Sequence, residues 1–178
     1  MTPDFFERFF SVLALVALVG ALAMTVAWPL SRRSGAARDF RSTLAGPAVW
    51  LAGLVAFVAT SGSLYFSQVA HFVPCHLCWA QRACMYPLSL LLVAAWRGAR
   101  RARLVAIPLA AIGAVISIYH YSLEWRPSLS LGVCDLQTPC DQIWFPRVFG
   151  FVSLPFMALC GFLAIISLLL LPTPLETR

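Results

Sequence analysis

Five long apolar runs, nearly free of charge, limit what this chain can fold into. They read approximately as residues 9–30, 48–71, 79–96, 104–123 and 148–171. At roughly 18–25 residues each, such runs are long enough to cross a bilayer as helices. In hydrocarbon the backbone must satisfy its own hydrogen bonds, which leaves helices or closed barrels. Continuous apolar runs lack the alternation of barrel strands. Composition agrees, with 61% of residues apolar and 11% charged, more apolar surface than a soluble domain of this length buries. Short polar connections join the runs, so the expected fold is one compact, all-α integral membrane bundle.

The formal net charge of +6 comes entirely from arginine, because the chain has no lysine. On a soluble protein this excess would suggest nucleic acid. Here it is gathered between spans: Arg32, Arg33, Arg38 and Arg41 after the first, Arg97, Arg100, Arg101 and Arg103 after the third. The positive-inside rule places both clusters in the cytoplasm. The N-terminus, residues 72–78 and the loop 124–147 are then outside, and the C-terminus, with Glu176 and Arg178, is inside. No nucleic-acid partner is expected. Asp4, Glu7 and Arg8 precede the first run and four arginines follow it. That charge profile belongs to a retained helix rather than a cleaved signal peptide.

This topology sorts the six cysteines. Cys75 and Cys78 fall in the short outer connection and Cys134 and Cys140 in the long outer loop. Cys84 and Cys160 lie within spans, as small apolar fillers. Two close pairs on the side where disulfides persist suggest electron relay more than stapling. Cys-x-x-Cys is at home in both redox and zinc sites. Its position at a membrane-helix entrance adds weight, because Arg82 follows Cys78 by four residues, one helical turn below on the same face. A guanidinium there can stabilise a thiolate and donate to a carbonyl oxygen. A charge just inside hydrocarbon marks function by default.

The stretch Pro74-Cys75-His76-Leu77-Cys78-Trp79-Ala80-Gln81-Arg82, continuing to Met85-Tyr86-Pro87, resembles the redox motif of the DsbB family, the disulfide bond formation protein B group. Within that family it is most similar to the branch of Gram-positive and related bacteria. Residues 119–127, Cys134-Asp135, Cys140 to Trp144 and Gly150 to Gly161 resemble further family segments, so the likeness covers about residues 48–171. It implies a four-helix redox bundle over 48–178. An extra N-terminal transmembrane helix and an arginine-rich cytoplasmic loop make up 1–47. It also implies two disulfides, Cys75–Cys78 and Cys134–Cys140, with all four cysteines and Arg82 catalytic. Cys78 would be the thiolate facing a quinone cofactor, ubiquinone or menaquinone, with Arg82 and His120 at its head group. The loop pair would oxidise a DsbA-like thioredoxin-fold partner. The implied setting is the bacterial cytoplasmic membrane.

Two features depart from that pattern. The first span lies outside it, and only five residues separate the loop cysteines. Vitamin K epoxide reductase-like proteins are an alternative, although they place the shuttle pair before the Cys-x-x-Cys. A non-enzymatic alternative makes the four outer cysteines a zinc site, which leaves Arg82 without a role. Trp79, Trp125 and Trp144 read as an interfacial aromatic belt. Gly53, Gly62 and the alanine-rich faces of spans two and four read as close helix contacts.

Overall fold

The computed structural model describes residues 3–95, 99–130, 132, 134, 139–140 and 147–171. Arg97, Trp144, Glu176, Arg178 and most of the loop 131–146 lie outside the described residues. Among the described residues six α-helices follow in order: α1 (Pro3–Leu30), α2 (Gly35–Ala45), α3 (Ala48–Gln68), α4 (His76–Ala94), α5 (Ala99–Trp125) and α6 (Leu154–Leu169). A 3-10 turn, Pro127–Leu129, follows α5. Helices α1, α3, α4 and α5 are long and apolar enough to cross a membrane. The chain is therefore an all-α, multi-pass membrane protein.

Three local features differ from the sequence reading. The first helix starts at Pro3 and takes up the charged residues 4–8. The arginine-rich connection, expected as a loop, contains helix α2, whose Ala37 and Ala45 are buried. With half-buried Arg41 and Leu44 they form one stripe recurring every three to four residues, which makes α2 a surface helix rather than a span. The last run becomes helical only at Leu154. Before it, Phe149 (φ 56°) and Gly150 (φ 82°) take left-handed backbone, and Val148 and Val152 exchange two backbone hydrogen bonds of 3.0 and 3.1 Å. Pro155 sits in the first turn of the helix, where its missing N–H costs nothing. The sixteen residues of α6 rise about 24 Å, less than a full span.

Short as it is, α6 is the hub, packed against α1, α3 and α5. Lipid-phase helices associate by close packing, which small residues permit. Ala48, Ala52 and Ala56 on α3 and Ala106 and Ala110 on α5, spaced by four, have no exposed surface. Gly53 lies against Leu92 of α4, and Gly62 against the ring of Phe10 on α1. Gly113 leaves room for the ring of Phe162, which a Cβ would overlap.

The two ends of the bundle differ in chemistry. At one end Arg103 donates from Nη1 to the carbonyl of Leu171 (2.7 Å), tying the start of α5 to the end of α6. At the other end, the start of α4, the end of α5 and the loop cysteines come together.

Candidate redox site

Cys75 is the N-cap of α4. Its backbone is extended (φ −74°, ψ 174°), and its sulfur accepts the Cys78 N–H at 3.3 Å. Starting a helix inside Cys-x-x-Cys turns both sulfurs to one side, 3.0 Å apart. The pair is held as two thiols, not as the disulfide expected from the sequence, whereas Cys134 and Cys140 are bonded to each other. The hydrogen bond with the Cys78 thiol pulls Cys75 down from the usual thiol value to about 4. Burial opposes this shift and His120 reinforces it. The free N–H groups of a helix start favour an anion in the same way. In the reduced pair these contacts favour a thiolate on Cys75.

His120 joins the two pairs. Its Nδ1 lies 3.2 Å from the amide nitrogen of Gln81. An amide nitrogen only donates, so Nδ1 accepts and the proton sits on Nε2. From there it is shared between the carbonyl of Cys140 (3.1 Å) and the sulfur of Cys75 (3.7 Å). Cys75 and Cys140 are buried in one small apolar cluster with Leu77 and Leu123, and Cys134 sits partly exposed at its edge. His120, expected beside a cofactor, is not among the described residues lining the cavity below. It stands on the sulfur side instead.

Cys78, packed against that cluster, also lines a cavity of about 390 Å³ between α1, α3, α4 and α6. Ser63, Gln81, Arg82 and Tyr86 give this cavity polar groups near Cys78, and its remaining walls are largely apolar. Arg82 donates from Nε to the Ser63 hydroxyl (2.9 Å) and from Nη2 to the Ser63 carbonyl (3.0 Å). Its guanidinium also lies 5.1 Å from the centre of the Trp79 ring. Arg82 is thus anchored to α3, and it shares the cavity wall with Cys78. Such a pocket suits a flat apolar molecule with hydrogen-bond-accepting oxygens at one end.

The sequence motif contains Gln81 and Tyr86 without a role of their own, and Ser63 was not singled out. Gln81 both lines the cavity and bonds His120, and Ser63 both holds Arg82 and lies 3.4 Å from the Tyr86 hydroxyl. Their common signal was polarity inside otherwise apolar spans. Cys84 and Cys160 are buried thiols in helix contacts. The donor atoms of Cys75, Cys78 and His120 lie within 4.8 Å of one another and could hold a metal ion. The four-cysteine zinc set does not form among the described residues, because Cys134 and Cys140 have spent their sulfurs on each other.

A family model described as "Disulfide bond formation protein DsbB" matches residues 45–171. Disulfide bond formation protein C of Bacillus subtilis (strain 168) is 44% identical over 115 residues, covering 64% of this chain and 83% of that protein. A "Probable disulfide formation protein" of Coxiella burnetii (strain CbuK_Q154) is 41% identical over 114 residues, covering 62% and 77%. No solved structure matches the chain. The family match starts at the end of α2, so α1 lies outside it.

Proposed function

The chain belongs to the DsbB family, membrane oxidoreductases of disulfide bond formation, and from that premise we propose its full reaction. It reoxidises a DsbA-like thioredoxin-fold dithiol outside the cytoplasm and passes the electrons to a membrane quinone. The observation that carries this reading is the order of the sulfurs. Cys134 is partly exposed, Cys140 and Cys75 share a buried cluster bridged by His120, and Cys78 faces the cavity.

Each step follows from that order. A partner thiolate attacks Cys134 and releases Cys140 as a thiolate. Cys140 attacks the Cys75–Cys78 disulfide at Cys75, freeing Cys78. The second partner thiol then resolves its own mixed disulfide and leaves oxidised, releasing Cys134. Cys134 closes on Cys140 and expels Cys75. A thiol of low pKa leaves faster, and the setting of Cys75 provides one. Two electrons and two protons now rest on the Cys75–Cys78 pair, with the loop disulfide restored. A quinone bound in the cavity supplies the oxidant, accepting both electrons and both protons. Arg82 and Gln81 offer donors to a carbonyl oxygen there, and the apolar walls exclude water. For such a couple about 30 mV corresponds to 1.4 kcal/mol, so the quinone's potential sets the driving force.

The proposed setting is the bacterial cytoplasmic membrane, with the sulfur end and the N-terminus outside and the C-terminus inside. Arg32, Arg33, Arg101 and Arg103, at the opposite end from the sulfurs, support that orientation. The relay order is tested with single cysteine-to-serine variants co-expressed with the partner and run on non-reducing gels. Cys140→Ser should trap an oxidised partner as a long-lived adduct through Cys134. Cys75→Ser should oxidise partner for one turnover and then stop. No adduct in Cys140→Ser, or continued cycling in Cys75→Ser, overturns the order.

A further inference from the structure

Helix α1 lies outside the family match, yet it supplies Phe10, Leu13, Ala14, Val16 and Ala17 to the cavity wall. It packs along α6, where Ser11 lies 3.8 Å from the sulfur of Met157. Its aromatic contacts with α3 are gathered at the sulfur end. Phe6 meets Tyr65 at 4.3 Å, and Phe10 meets Phe66 at 5.6 Å and seats on Gly62. Deeper in, the small side chains of Ala14 and Ala17 keep the space between α1 and α3 open.

Along this space the chemistry changes in one direction. Ser63, Gln81 and Arg82 stand with Cys78 at the sulfur end. Leu54 comes eight residues before Gly62, about 12 Å further down α3, and the wall there is apolar. Val16 and Leu54 both line the cavity, yet they are 63% and 58% exposed. A residue that faces a cavity and its outside together marks a mouth. This mouth lies partway along two membrane-spanning helices, so it opens towards lipid chains rather than water.

We propose that α1 makes a tail passage: a lipid quinone places its ring at Cys78 and Arg82 and threads its hydrocarbon chain out between Val16 of α1 and Leu54 of α3. This rests on the quinone reading above. The cavity holds a ring and the first part of a chain, and the rest of a polyprenyl tail has to leave through an opening. The passage gives the extra helix a role in selecting and retaining tailed quinones, while electron transfer itself stays with α4.

The test uses the full-length protein in lipid nanodiscs with two probes, a benzoquinone carrying a ten-carbon alkyl tail and the same ring without it. Ala17→Phe fills the passage. It should raise the KM for the tailed quinone about tenfold, the effect of leaving roughly two methylene groups of the tail unburied. The KM for the tail-less ring should stay within about twofold of wild type. Leu54→Trp narrows the same mouth from α3 and should repeat the pattern should Ala17→Phe not fold. Val19→Phe, on the 65% exposed face of α1 outside the cavity, should change neither value. Binding is read separately, with a diazirine at the tail end, which should label α1 between Leu13 and Ala17. Equal effects on both probes, unchanged kinetics in both passage variants, or labelling confined to α4 and α5 would overturn the passage. A wild-type protein that neither binds nor reduces even the tail-less ring would instead remove the quinone reading itself.

Discussion

At Cys75 three neighbours act on one sulfur: the Cys78 thiol, the Cys78 N–H and His120. Together they bring its pKa from 9.0 to about 4. Between those values the unfolded, reduced chain holds the extra proton. Stability of the reduced protein should therefore rise with pH across that window and be lost as pH falls through about 4. Thiolate absorbance of the reduced protein should titrate near pH 4, and Cys78→Ala, which removes the largest cause, should move that midpoint upwards. A wild-type midpoint near 9 contradicts this account of the sulfur. Arg82 gives a second residue-scale expectation. Hydrogen bonds to charged groups contribute about 1.5–3 kcal/mol, so Arg82→Leu should weaken quinone KM or turnover roughly 10- to 100-fold. Arg82→Lys should be partly tolerated, because charge survives without the planar fork. Wild-type quinone kinetics in a folded Arg82→Leu protein would reduce the residue to an interfacial anchor. Cys75, Cys78 and Arg82 were legible in sequence because local spacing brings them together on one helix start. Gln81 and the true place of His120 were not, since their meeting depends on the register of α4 against α5.

The long apolar helices were equally legible, because length and hydrophobicity alone decide what can cross hydrocarbon. Helix α2 was hidden by its arginines, and the late start of α6 by the apolar residues of the turn before it. Nothing in an apolar run signals that Phe149 and Gly150 leave helical backbone. Packing between elements is likewise a matter of shape, as at Gly113, where the Phe162 ring fills the space a side chain would need. Gly113→Ala should destabilise the α5–α6 contact by about 1–3 kcal/mol, the usual effect of overpacking. A fall in the detergent unfolding midpoint, partly recovered by adding Phe162→Leu, is the expected result. An unchanged midpoint would mean that α6 shifts to accommodate the methyl group.

Across the whole molecule, the bundle separates a water-facing dithiol exchange from a lipid-facing electron acceptor, with the two buried sulfurs between them. The proposed orientation requires the sulfur end to be outside. An impermeant thiol reagent applied to intact, reduced cells should therefore reach Cys134, the partly exposed cysteine of the loop pair. Labelling only after opening the cytoplasmic side would reverse the topology. The relay requires the two chemistries to be coupled, and one assay measures that coupling. Purified protein in nanodiscs is mixed with a reduced thioredoxin-fold dithiol oxidase and a benzoquinone, and thiol loss and quinone absorbance are followed together. The account predicts one quinone reduced for each partner disulfide formed, with both signals stopping when either substrate is left out. Thiol loss without quinone reduction, or bound zinc with no turnover of either, would contradict it.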